Sequence, residues 1–235
     1  MNPQLKFIEK ENMIKFSPND INTLKNFSEI NDMMLFKPGK TFVVNTVEGP
    51  WIVANADSDV EIPTEFGIYG LSQLLSIFKI FSDPEVEIGE RSLKIRQDDR
   101  MVEFFFCSKT LFKRPIVTGS DVTSKKIVSF DLDQKVLREI SDAAAALRLD
   151  KVAFTGENGG VYIKVLDTTG GISHSYQKRM GDTDREFNSV VFLQNWKMPK
   201  NLDYSVTVAP HAVQFISKDG KYRYWAAIEA AHSSY

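Results

Sequence analysis

An α+β fold built from two similar halves is predicted by three observations. Short amphipathic helical stretches alternate with runs of β-branched and aromatic residues. The order strand, helix, three strands reads four times along the chain. A Pro-, Gly-, Ser-, Thr- and Lys-containing stretch, residues 111–126, separates the second reading from the third and marks an interdomain connector. The domains are therefore expected at 1–112 and 127–235, with the connector at 113–126. A chain of 235 residues with 43% hydrophobic residues is long and apolar enough to build both cores.

The first helix carries the clearest start signal, in SPNDINTLKNFSEIN. Ser17 is a capping residue, Pro18 suits the first helical position, and Asp20 sits in the first turn, where the helix dipole favours negative charge. Ile21, Leu24, Phe27 and Ile30 fall on one side of this helix and Lys25 on the other. Strands follow at 33–36, 41–47 and 51–56, read as an antiparallel meander turned by Lys37-Pro38-Gly39-Lys40 and Glu48-Gly49-Pro50.

The second reading has a strand at 65–68, a helix over 71–81 with Lys79 on its polar stripe, and strands at 85–88, 92–96 and 101–107. The third has a strand at 127–130, the longest helix over 131–148 with Lys135 and Arg138 facing outward, and strands at 151–155, 161–166 and 172–180. In the fourth, a strand at 187–191 leads to a helical stretch over 192–197 ended by Pro199. Strands at 204–208, 212–217 and 222–229 complete it, with Asp219-Gly220 as a hairpin signal. Gly156 and Gly159-Gly160 read as hairpin turn residues.

The net charge of −2 and pI near 6.0 exclude whole-molecule attraction to polyanions. Composition by itself argues against DNA, because a duplex binder is ordinarily basic. The chain has no Walker A motif, no GxSxG and no Rossmann glycine fingerprint. Its histidines, His174, His211 and His232, are widely spaced, and the single cysteine, Cys107, lies in a β-type run. Neither a nucleophilic catalyst nor a zinc site is expected, and no cofactor is called for. Asp182 and Asp184 beside Arg185 read as a solvated loop rather than a cation site. The opening residues lack the apolar run of an export signal, and no stretch has the length of a membrane span.

At Leu24-Lys25-Asn26-Phe27 with Ile30-Asn31, at Leu137-Arg138, at Trp196-Lys197-Met198 and at Ala226-Ala227-Ile228-Glu229-Ala230, the chain resembles the sliding clamps of T-even-type bacteriophages. It departs from them in the dozen or so residues before Ile14, an extension, and in a helix from Asp131 that is about a turn longer. The resemblance implies a DNA clamp fold: a two-domain subunit that closes as a homotrimer, with helices lining the hole and antiparallel sheets outside. It implies a viral processivity factor that is not an enzyme. Such a factor encircles double-stranded DNA without reading sequence, tethers the DNA polymerase, and is loaded by a separate ATP-dependent clamp loader. In the resembled family the ring also couples to late transcription, through late transcription factors and the host RNA polymerase. Its place of work would be the cytoplasm of the infected bacterial host.

Lys25, Arg138 and Lys197 fall on matching motif positions and are the expected DNA contacts. Lys79, Lys135 and Lys200 join them by helical position or proximity. A ring threaded by duplex needs only weak, salt-sensitive attraction, which reconciles DNA with an acidic composition. By the same resemblance the strand bearing Phe104 and Phe106 would pair with a neighbour's strand bearing His174 and Tyr176, although these phenylalanines can instead fill their own core. Ile116 and Val117, with Tyr224 and Ile228, would border a partner pocket, ordinary connector packing being the alternative. The rival reading from a different class is a β-rich viral structural or assembly protein.

Overall fold

The computed structural model describes residues 12–46, 52–112, 125–169 and 173–235. Two compact units are formed, Met1–Val43 with Asp57–Lys113 and Val44–Ala56 with Arg114–Tyr235. The described elements run β1 (Met13–Ile14), α1 (Pro18–Ser28), β2 (Met33–Phe36), β3 (Gly39–Asn45), β4 (Ile52–Ile62), β5 (Phe66–Tyr69), α2 (Leu71–Phe78), β6 (Glu85–Ile88), β7 (Ser92–Gln97) and β8 (Arg100–Phe105). They continue as β9 (Val128–Leu132), α3 (Gln134–Leu147), β10 (Lys151–Glu157), β11 (Gly160–Leu166), β12 (Tyr176–Asp182) and β13 (Phe187–Phe192). After a 3₁₀ turn at Leu193–Asn195 come β14 (Tyr204–Val208), β15 (Ala212–Ser217) and β16 (Tyr222–Ala227). Strand, helix, three strands thus occurs four times, with the last helix reduced to a single 3₁₀ turn.

In the first unit an antiparallel sheet has the order β1-β6-β7-β8, and β2 pairs with β5. Helix α1 is closed at its N-terminus by a reciprocal box: the Asp20 amide donates to Ser17 Oγ and the Ser17 amide to Asp20 Oδ2, both at 3.0 Å. The other oxygen of Asp20 accepts from Ser58 Oγ and from the Asp59 amide at 2.9 Å. Asp20 is fully buried, so one carboxylate caps α1 and pins it to β4. Helix α2 starts after Gly70, which sits at φ +85° and has no side chain to cap with. Asp32, just beyond α1, caps it instead, its carboxylate accepting from the Ser72 amide at 2.6 Å and its carbonyl from the Leu71 amide at 2.7 Å. The core holds a ring cluster, in which Phe66 stacks on Phe36 at 4.7 Å and on Phe106 at 4.9 Å, and Phe16 meets Phe78 edge-on at 5.5 Å.

In the second unit α3 packs on β11 and β12 of the sheet β12-β11-β10-β13. Its apolar stripe, Leu137, Ile140 and Ala144, is buried, and Asp133 caps it by accepting from the Val136 amide at 2.7 Å. A further sheet runs β3-β4-β16-β15-β14-β9, with Tyr222–Ala226 paired to residues 52–56. That ladder is why residues 52–56 pack with the second unit although their sequence neighbours beyond Ala56 lie in the first. Trp196 closes this core against Phe154 at 6.0 Å and Phe215 at 5.7 Å.

Several elements differ from expectation. β2 leaves the anticipated meander: Gly39, at φ +111°, turns the chain, and Met34 and Phe36 pair instead with Ile68 and Phe66. α2 stops at Phe78 because Gln97 Oε1 accepts the Ser82 and Asp83 amides at 2.9 and 3.1 Å, forming a turn in place of another helical one. Asp131 and Leu132 belong to β9, paired with Ser205 and Tyr204. In the fourth repeat β13 runs to Phe192, and the few residues left before Pro199 cannot propagate an α-helix. Gly156 is not a turn residue: the turn is Asn158-Gly159, with φ +49° and +75°, and Gly156 lies inside β10. A Cβ there would sit 2.2 Å from the Arg185 carbonyl and 2.6 Å from the Phe187 ring.

Candidate nucleic-acid interface

In the first unit, α1 and α2 pack side by side. Lys25 and Lys79 are both exposed, and both line one groove of about 270 Å³ whose apolar walls include Phe16, Ile21, Leu75 and Phe78. Lys15, which sequence reasoning passed over, bonds Asp83 at the rim at 2.5 Å. The sequence signal for Lys15 is slight, since it lies just ahead of the helix start.

In the second unit the polar side of α3 carries Lys135 and Arg138, both exposed. The Arg138 guanidinium donates from Nε to the Lys200 carbonyl at 3.2 Å and from Nη2 to Gln134 Oε1 at 3.1 Å. Arg138 and Lys200 are therefore brought together, and the 199–203 segment is held below by Tyr204, whose hydroxyl donates to the Pro199 carbonyl at 2.8 Å. Lys197 is half-buried between Trp196 and Met198, which are both buried, so that motif is first a core anchor. Lys25 and Lys79 thus lie together on or beside α1 and α2 in the first unit, and Lys135 and Arg138 on α3 with Lys200 beside it in the second. Like charges repeated on two helices suit contact with a repeating anion.

A carboxylate sits beside the α3 cations. Glu139 accepts from the Tyr176 hydroxyl at 2.6 Å and from Lys178 Nζ at 3.3 Å. These two donors, the hydroxyl first, hold the Glu139 carboxyl below its ordinary range. Burial first, then Glu139, pushes the Tyr176 phenol up to about 12.

β8 and β12 are each at the edge of a sheet. Phe104 is 9% exposed, and Phe106 stacks on Phe66, so both named phenylalanines turn into their own unit. Alternation puts Phe105, 66% exposed, and Met101 on the other face. Tyr176 points to Glu139, and His174 is exposed. Of the pocket residues, Ile116 and Val117 lie outside the described residues, Tyr224 is 1% exposed, and the Ile228 amide donates to the His211 carbonyl at 3.2 Å. Tyr224 thus serves the core of the second unit. Among the described residues no cluster of His, Cys, Asp or Glu is fit to hold a metal ion, and no helix is long and apolar enough to cross a membrane. Asp182 pairs with Arg179.

No protein-family model matches the chain. The sliding clamp of Escherichia phage RB69 is 28% identical over 230 residues, covering 92% of this chain and 97% of that protein. That of Vibrio phage KVP40 is 23% identical over 205 residues, covering 85% and 92%. That of Enterobacteria phage T4 is 26% identical over 199 residues, covering 79% and 83%. Among solved structures, a putative DNA polymerase III beta subunit from Eubacterium rectale superposes with a TM-score of 0.71 at 12% identity, over 92% of this chain and 65% of that one. The chain thus spans about two thirds of that bacterial subunit. It spans 98% of Archaeoglobus fulgidus PCNA, solved with the C-terminal region of FEN-1, at a TM-score of 0.64 and 11% identity. Together these findings give the chain the sliding-clamp fold and show it to be similar, along most of its length, to the sliding clamps of phages RB69, KVP40 and T4.

Proposed function

We propose that this protein is a viral DNA sliding clamp, a non-catalytic ring that encircles duplex DNA and keeps the replicative polymerase on its template. The observation that carries the reading is the fourfold strand, helix, three-strand order with cations gathered on the helical surfaces. Lys25, Lys79, Lys135, Arg138, Lys197 and Lys200 supply weak contacts to phosphates, and none reads bases. Two clamp domains, 1–112 and 127–235, are joined by 113–126, and three subunits close the ring through the edges of β8 and β12. A strand edge left open would otherwise invite aggregation.

The chain carries no phosphate-binding loop, so a separate ATP-dependent loader opens the ring. The polymerase docks on it, and late transcription factors with the host RNA polymerase use it in turn, in the cytoplasm of the infected bacterium. The test is twofold. Light scattering at micromolar concentration should give the mass of a trimer, and polymerase with loader should make longer products in its presence. A monomer that leaves product length unchanged refutes the proposal.

A further inference from the structure

Building on the reading of α3 as a DNA-facing helix, we propose that Tyr176 and Lys178 are positioning residues: they hold Glu139 away from the helix cations, leaving Lys135 and Arg138 to the phosphates.

Lys135 and Glu139 are four residues apart on α3, the spacing at which oppositely charged side chains meet on a helix surface. Arg138 is adjacent to Glu139 in sequence. A carboxylate so placed would neutralise one of these cations and repel a polyanion. In the structure it makes no ion pair with either, because both of its oxygens are taken by β12; Lys135 acts on it only as a nearby charge. Oε1 accepts the Tyr176 hydroxyl at 2.6 Å and Oε2 accepts Lys178 Nζ at 3.3 Å.

Tyr176 and Lys178 are two apart on a strand and so share the face that packs against α3. Their chemistry is divided: the phenol is a neutral donor that fixes the carboxylate at short range, and the ammonium cancels its charge. Arg138 meanwhile is oriented by groups that leave its charge intact, the Gln134 amide oxygen and the Lys200 carbonyl. Among the described residues no carboxylate lies within ion-pair distance of Lys135 or Arg138. Asp142, the other acid on α3, is exposed one turn beyond Arg138 and makes no ion pair with it.

The prediction is a loss without any contact to DNA being removed. In the double variant Tyr176→Phe/Lys178→Ala, Glu139 turns to Lys135 or Arg138. The salt dependence of retention on nicked circular DNA, measured with the full chain after loading, should fall in slope by about 0.9 per subunit cation lost. Adding Glu139→Gln should restore the wild-type slope, which mere loss of the Lys178 charge would not allow.

Light scattering on each variant separates this from disturbed assembly. If the double variant changes size, Tyr176→Phe with and without Glu139→Gln carries the same comparison. A salt-sensitive wild type from which the variants do not differ, or a loss that Glu139→Gln fails to reverse, overturns the inference alone. A wild type not retained on circular DNA at all overturns the clamp reading with it.

Discussion

Arg138 and Lys200 stand 62 positions apart in the chain, yet the guanidinium Nε donates to the Lys200 carbonyl at 3.2 Å. The bond fixes the Arg138 side chain without neutralising it and gathers two cations beside α3. Preorganised charge of this kind favours a polyanion that must slide, because no single contact is strong.

Charge reversal tests that arrangement. Lys25→Glu with Arg138→Glu should shorten retention on circular DNA and lower the slope of log affinity against log salt by about 0.9 for each cation removed. The mass by light scattering should stay that of wild type. A loss of assembly instead would place these side chains on an intersubunit surface.

Asp20 is a capping residue that is also buried. Asp20→Ala leaves the buried Ser58 hydroxyl without its acceptor, at a cost of about 1–3 kcal/mol, and also frees the part-buried amides of Ser17 and Asp59. Chemical denaturation should show a loss at or above that range. A cost confined to about 1 kcal/mol, that of an ordinary cap, would mean the β4 contacts contribute nothing.

On β8, neighbouring phenylalanines should fail in different ways. Phe104→Ala removes a ring that is 9% exposed and should destabilise the fold by about 3–5 kcal/mol. Phe105→Glu alters a ring that is 66% exposed. It should leave thermal stability of the subunit nearly unchanged while lowering the mass seen by light scattering at micromolar concentration. Equal effects on folding would show that Phe105 does not face a neighbour.

The tie between Tyr176 and Glu139 has a defined pH window. The phenol, raised to about 12 from its ordinary value near 10, contributes stability that is fully present below about 10 and is lost as pH rises towards 12. Glu139 is lowered, so its contribution is present above the ordinary carboxylate range and is lost on acidification through its folded value. Resistance to chemical denaturation, followed by helix circular dichroism across pH, should therefore be greatest between these limits. Tyr176→Phe should shrink the alkaline limb without removing it, because burial also raises the Tyr204 phenol, and an unchanged alkaline limb would show that Tyr176 does not contribute to it.

Local chemistry was enough wherever a segment's partners are its own neighbours. Ser17-Pro18 with Asp20 announces α1, and the limits of β2, β6, β14 and β15 follow from apolar runs bounded by turn residues, because capping and alternation act within a few residues. The same patterns, read four times, carried the fold, and the short motifs around Lys25, Arg138 and Trp196 carried its resemblance to phage clamps. What depends on distant backbone stayed hidden. That β2 pairs with β5, that Gly156 is demanded by the Arg185 carbonyl, that Phe104 turns inward while Phe105 turns out, and that Glu139 is held by β12 are decided by strand pairing and packing between residues remote in sequence. Propensity says which element a residue prefers. Only the folded sheets set which face it shows and which charge it meets.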